Sequence, residues 1–119
     1  MKRSTEPACP QRGEVWLVNF NPGRGSEQQG IRPALVVQND TGNRYAATTI
    51  VAAVTTTIKR YPVTVVLPAR SCGLPQDSMV NTAQVLTLDK SRLIRRLGSL
   101  DTEQLSAVDR ALRISLALD

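Results

Sequence analysis

The side chains able to do chemistry are concentrated in two stretches. The first is a glycine-rich segment, Gly23-Arg24-Gly25-Ser26-Glu27-Gln28-Gln29-Gly30, running into Ile31-Arg32-Pro33, and the second is Thr55-Thr56-Thr57 followed by Lys59-Arg60-Tyr61. Arg32 offers a planar guanidinium that stays charged and can hold two phosphate oxygens at once. Thr55 offers a hydroxyl that donates to an anionic oxygen or orients an attacking group. Glu27 can accept a proton if burial or a nearby anion raises its pKa. Lys59, Arg60 and Tyr61 set two cations beside a ring, a combination that can grip a phosphate and stack a base. Each residue also has a plainer reading. Arg32 suits a strand-end arginine paired with a surface carboxylate, Thr55 an ordinary β-former, Glu27 a solvated loop acid paired with Arg24 or Arg32, and Tyr61 a turn residue capping the core.

Composition narrows the chemistry further. The 119 residues contain no histidine, which excludes Ser-His-Asp, Cys-His and histidine-ligated zinc catalysis. The two cysteines, Cys9 and Cys72, lack the paired spacing of a metal knuckle and read as free thiols. Fifteen Lys and Arg face ten Asp and Glu, and the whole surplus lies in residues 1–70, where nine basic side chains meet four acidic ones. Such a localised positive field attracts polyanions, so nucleic acid or an acidic protein is the expected partner class. The sequence holds no apolar run of membrane-spanning length and no signal-peptide core near its start, which points to a cytoplasmic protein. The length suits one domain.

The elements that must position these groups follow from periodicity. Residues 1–12 are polar and Pro-containing and read as a flexible N-terminal arm, with a single domain over 13–119. Val15 to Phe20 alternates Trp16, Val18 and Phe20 against Val15 and Leu17, as expected of a strand covered on both faces. Pro33 to Val37 predicts a second strand, with turn chemistry at Asn39-Asp40-Thr41-Gly42-Asn43. Thr48 to Ile58 and Val63 to Leu67 are β-branched runs, Ser78 to Val80 and Gln84 to Leu88 are short strand candidates, and Leu93 to Leu97 is a further one. Asp101 with Gln104 forms a capping box, flanked by a Leu100–Leu105 staple, and predicts a helix from Thr102 to about Leu118. Its apolar positions span roughly 200°, wider than the ~100° one core face needs, so the surplus suits either contact with another chain or a helix end tucked into its own barrel. Many short strands closed by one C-terminal helix argue for a mainly β fold, a small bent antiparallel sheet or partly open barrel.

In order along the chain, Gly25-Ser26-Glu27-Gln28, Gly30, Arg32-Pro33 and its apolar strand, Thr55-Thr56, Lys59, Tyr61-Pro62 and Val63 to Leu67 closely resemble the motifs of the MazF/PemK family of toxin endoribonucleases. The likeness continues through Asp77-Ser78, Gln84-Val85 and Asp89 to the terminal helix. It implies a small SH3-like antiparallel barrel of CcdB/PemK type, a homodimer, and metal-independent, cofactor-free cutting of single-stranded RNA at short sequences. It also implies a cognate MazE-like antitoxin whose acidic tail covers the RNA groove. Arg32 matches the family's arginine, Thr55 its catalytic threonine and Glu27 its loop glutamate. Arg32 then stabilises phosphoryl charge and donates a hydrogen bond to the leaving group, while Glu27 is the natural base, since a guanidinium yields its proton reluctantly. Arg24, Ser26, Gln28 and Thr56 are expected to touch RNA. Lys59, Arg60, Tyr61 and Gln84 join them.

The chain departs from the pattern at Ala83 and Leu86, where relatives often carry an acidic and a basic residue flanking Gln84. Base choice and antitoxin contact at that point are therefore left open. Two other functions remain compatible with the residues alone: a protein-binding, gyrase-directed toxin like CcdB, and a non-catalytic nucleic-acid-binding barrel, which would bind RNA in a salt-dependent way without scission.

Overall fold

The computed structural model describes residues 9–22 and 29–118. The chain forms strands β1 (Glu14–Asn19) and β2 (Ile31–Val36), a short helix α1 (Asp40–Tyr45), and strands β3 (Thr48–Thr55), β4 (Thr64–Leu67), β5 (Ser78–Asp89) and β6 (Leu93–Ser99), before helix α2 (Thr102–Leu116). All strand pairs are antiparallel, in the order β4-β5-β3-β2-β1-β6. The mainly β class with a C-terminal helix is therefore as expected. The sheet curls without closing, and its β4 and β6 edges do not pair.

The period of two decides the core. One face of the central strands carries Val15, Leu35, Ala52, Val54 and Val80, buried together with Leu67, Leu74 and Val108 of α2. The opposite face carries Val18, Phe20, Ala34, Val36 and Val51, buried with Leu88 and Leu93 and flanked by Trp16 and Leu86. Strands buried on both sides are what the unbroken apolar run of β1 predicted. Curling brings the turn between β4 and β5 against β6, where backbones cross at Gly73 and Gly98. A Cβ on Gly73 would stand 1.9 Å from the Leu97 carbonyl oxygen, and one on Gly98 2.4 Å from the Cys72 carbonyl carbon. Only glycine allows that approach.

Several local expectations change. Asn39 to Asn43 is the start of α1 rather than a simple turn, because the Asn39 side chain accepts from the Gly42 N–H at 2.8 Å and caps a helix. The two short strands expected at 78–80 and 84–88 are one strand, β5. Its pairing steps from Ala52–Val85 to Ala53–Asn81, leaving Thr82, Ala83 and Gln84 as a bulge. Thr82 fixes that bulge by donating its N–H (2.9 Å) and Oγ1 (2.7 Å) to the Val63 carbonyl. Ser115 of α2 donates to the Thr82 carbonyl at 2.8 Å. Gln11 and Arg12, read as the end of the arm, are fastened to the domain. The Arg12 N–H donates to Asp40, its Nε to the Val37 carbonyl, and its Nη2 pairs with Asp109 of α2 at 2.7 Å.

Helix α2 carries the predicted capping box: Asp101 accepts from the Gln104 N–H at 2.7 Å and the Gln104 side chain accepts from the Asp101 N–H at 3.0 Å. Its regular part ends at Leu116, because Ala117 turns into the left-handed region at φ 55°. Val108 and Ala111 face the sheet, and Ile114, Leu116 and Leu118 stay exposed. No helix among the described residues is long and apolar enough to cross a membrane.

Candidate nuclease site at the open end of the sheet

The alternation that buries Ala34 and Val36 on one side of β2 carries Arg32 to that same side, two residues nearer the strand's beginning. In β3 the same rule carries Thr55 to the side of Val51 and Ala53. Ala34 pairs with Ala53, Leu35 with Ala52 and Val36 with Val51. The β2–β3 pairing ends at Ala34–Ala53, and Arg32 and Thr55 each lie two residues beyond it on that same side. Val18 stands opposite Arg32 on β1 and Met79 opposite Thr55 on β5, so the four residues make one row across the end of the sheet. The buried cluster of Val18, Phe20, Ala34 and Val36 is the floor behind that row.

Arg32 is exposed and donates Nε to the Gln29 carbonyl at 2.9 Å. Among the described residues it enters no ion pair, so the surface-carboxylate reading of this arginine has no support there. Thr55 is half-buried, and its Oγ1 accepts from the Thr57 N–H at 3.1 Å. Accepting there leaves the hydroxyl proton as the group Thr55 can give to an anionic oxygen. A cation and a hydroxyl donor on one side of one sheet end can stabilise charge growing on a phosphoryl group.

Lys59, Arg60 and Tyr61 lie at the same end and are exposed. Their loop is folded by Thr64, whose Oγ1 accepts from the Tyr61 N–H at 2.9 Å and donates to the Lys59 carbonyl at 2.7 Å. The Lys59 N–H reaches Met79 Sδ at 3.2 Å, which holds the loop against the row that contains Thr55. Thr56 is exposed just beyond β3. Gln84 is not in the row: it belongs to the β5 bulge, further up the strand than the Met79–Thr55 pair. Arg24, Ser26, Glu27 and Gln28 lie outside the described residues.

Sequence reasoning missed the residues that hold Arg32 in place. Gln29 accepts from it. Asn21 Oδ1 accepts from the Gly30 N–H at 2.9 Å, and the Phe20 N–H donates to the Gly30 carbonyl at 2.9 Å, closing the neck of the segment between β1 and β2. Arg92, just before β6, donates Nη1 to the carbonyls of Asn19 and Asn21. Its partners lie 73 and 71 residues away, so no local pattern could reveal the contact. The only sequence signal was the Asp89-Lys90-Ser91-Arg92 stretch itself. There Asp89 caps a 3-10 turn, and its carboxyl is held below the usual carboxylate range chiefly by hydrogen bonds from Ser91, with Arg92 adding to the effect. Both cysteines are free, and burial raises the Cys72 thiol pKa.

A curled, open β sheet with a helix across one side, and a cation and hydroxyls gathered at one end, defines a small β domain suited to an anionic oxygen centre. Residues 11–116 match the family of PemK-like, MazF-like toxins of type II toxin–antitoxin systems, and the chain belongs to that family. It is 46% identical over 110 residues to the endoribonuclease EndoA of Bacillus subtilis (strain 168), a span covering 91% of this chain and 95% of that protein. The fold is similar to MazF from Deinococcus radiodurans, with a TM-score of 0.79 and 32% identity over 92% of this chain and 98% of that one. It is also similar to the MazE–MazF structure from the same organism, with a TM-score of 0.77 and 31% identity over 94% and 99% of the chains. Membership favours the toxin endoribonuclease reading over the gyrase-directed one and over a non-catalytic barrel.

Proposed function

We propose that this toxin is a metal-independent endoribonuclease that cuts single-stranded RNA at short specific sequences through Arg32, Thr55 and Glu27. The observation that supports the reading is that Arg32 and Thr55 each lie two residues beyond the last β2–β3 pair, Ala34–Ala53, on the same side of the sheet end. The ribose 2′-oxygen attacks the adjacent phosphorus, the bond from phosphorus to the 5′-oxygen breaks, and a 2′,3′-cyclic phosphate and a 5′-hydroxyl remain. Arg32 holds the phosphoryl oxygens and hydrogen-bonds the departing 5′-oxygen, where charge grows in the transition state, and solvent water gives that oxygen the proton that completes the 5′-hydroxyl. Thr55 donates to the same phosphate. Glu27 takes the 2′-hydroxyl proton, a role supported by the family motif.

Lys59 and Arg60 bind flanking phosphates, and Tyr61, 59% exposed, presents a ring on which a base can stack. Arg24, Ser26, Gln28, Thr56 and Gln84 complete the RNA contacts. The partner that silences the enzyme is a MazE-like antitoxin with an acidic tail, supported by the MazE–MazF assembly of the Deinococcus relative and by the basic surplus of this chain. The exposed Ile114, Leu116 and Leu118 at the end of α2 support a homodimer.

The test is cleavage of a long single-stranded RNA by purified protein in chelator, with the new 5′-hydroxyl ends sequenced. Wild type should cut at a short recurring sequence. Arg32→Ala should lose about 10²–10³-fold in rate with its melting temperature unchanged, since the side chain is exposed. Equal rates for the two proteins would remove Arg32 from the site.

A further inference from the structure

We propose that Arg92 is a positioning residue for RNA cleavage, acting through a chain of hydrogen bonds that ends on Arg32; this rests on the nuclease reading above. The chain can be followed atom by atom. Arg92 Nη1 donates to the Asn19 carbonyl at 3.2 Å and to the Asn21 carbonyl, fixing the last residue of β1 and the residue two beyond it. The Asn21 N–H donates to Asn19 Oδ1 at 3.0 Å, tightening the same bend. Asn21 Oδ1 then accepts from the Gly30 N–H, and the Gly30 carbonyl accepts from the Phe20 N–H, both at 2.9 Å. Gly30 sits at φ 77°, a left-handed conformation that keeps its neighbour Gln29 turned back over the strand. The Gln29 carbonyl accepts Arg32 Nε at 2.9 Å.

Chemistry explains why such a support is needed. Arg32 is an exposed side chain with many rotamers, and a guanidinium that wanders loses the alignment on which its effect depends. Its one anchor among the described residues is a backbone carbonyl in a connecting segment, which is only as steady as the neck below it. Arg92 supplies that steadiness from the 3-10 turn that leads into β6, the strand on the far side of β1. It is itself held by the Asp89-capped turn, in which Asp89 Oδ1 accepts from the Ser91 N–H at 2.9 Å. A single cationic nitrogen shared by two carbonyls is a charge-assisted clamp that no neutral side chain reproduces.

The experiment compares wild type, Arg92→Ala and Arg92→Lys by steady-state cleavage of a labelled RNA oligonucleotide. It adds the solvent-exchange rate of the Arg32 Nε–H by NMR, a readout that needs no catalysis. Arg92→Ala should lower kcat by about 10²-fold, the scale expected when a catalytic group is displaced by an ångström, with KM and its salt dependence unchanged. The Arg32 Nε–H should exchange faster in this variant. Arg92→Lys, whose ammonium can also serve two carbonyls, should recover at least about tenfold of the loss. If KM rises and the salt slope falls by about one while kcat holds, Arg92 is a phosphate contact and the proposal fails. An Arg32 Nε–H equally protected in wild type and Arg92→Ala overturns it as well. If wild type cuts no RNA, the nuclease reading falls and the exchange rates alone decide the relay. Should Arg92→Ala not fold, Asn21→Ala, which removes the Gly30 acceptor and keeps Arg92, takes its place with the same fall in kcat expected.

Discussion

Arg32 and Thr55 owe their common side of the sheet to strand alternation, and in the proposed mechanism they supply different chemistry. The arginine provides fixed charge, and the threonine a proton for hydrogen bonding whose acceptor side is already occupied by the Thr57 N–H. Thr55→Val removes the donor and keeps the β-branched shape, so it should slow cleavage by about 10²-fold at unchanged stability. Thr55→Ser should restore most of the rate, both read by steady-state cleavage of the labelled RNA oligonucleotide. At this scale the sequence singles out candidates that stand in contiguous motifs, as at Gly30, Arg32 and Thr55. It is silent on contacts across the fold: the carbonyls that meet Arg92 carry no side-chain signature, and Asn21 looks like any loop asparagine.

At the scale of elements, the ends of β strands and helices were legible to the extent that side chains cap them locally. Asp101 and Gln104 announced α2 correctly, and Asp101→Ala should reduce stability by about 1 kcal/mol in urea unfolding. The start of α1 was misread because Asn39-Asp40-Thr41-Gly42 suits a turn and a capped helix equally, and the decision rests on the distant partners of Asp40 and Asn43. Asn43 is buried, accepts from Thr49 Oγ1 at 2.7 Å and presents its carbonyl to the buried Lys90. The β5 bulge hid for a similar reason: Asn81-Thr82-Ala83 looks like a break between the strands 78–80 and 84–88, while the bond that keeps the chain in one bulged strand, from Thr82 to the Val63 carbonyl, is made far away in sequence.

Asp89 makes a pH prediction for the turn below Arg92. Its carboxyl pKa is lowered in the folded protein, mainly by the Ser91 hydrogen bonds, so the ionised form stabilises the fold. That contribution is complete above the unfolded value of about 3.9 and is lost as pH falls through the lower folded value. The difference in melting temperature between wild type and Asp89→Asn should therefore persist at neutral pH and vanish in acid.

On the scale of the whole molecule, six strands curl until the turn at Ser71–Gly73 meets β6, and the fold is completed by backbone contact instead of a sixth strand pair. Gly98→Ala places a methyl 2.4 Å from the Cys72 carbonyl carbon and should destabilise the protein by about 3 kcal/mol or more, read as a fall in the urea midpoint. Composition and periodicity gave no hint of this crossing, because a glycine that permits close approach looks the same in sequence as one that permits a turn.

The irregular stretch at Thr82–Gln84 has a mechanical consequence. It separates β5 into a portion aligned with the end that carries Thr55, Ser78 to Asn81, and a portion aligned with the opposite end, Val85 to Asp89. Because the bulge takes up slack between them, a strain or slip in the distal portion need not draw Met79 away from Thr55, so the two ends of one long strand are joined by an expansion joint.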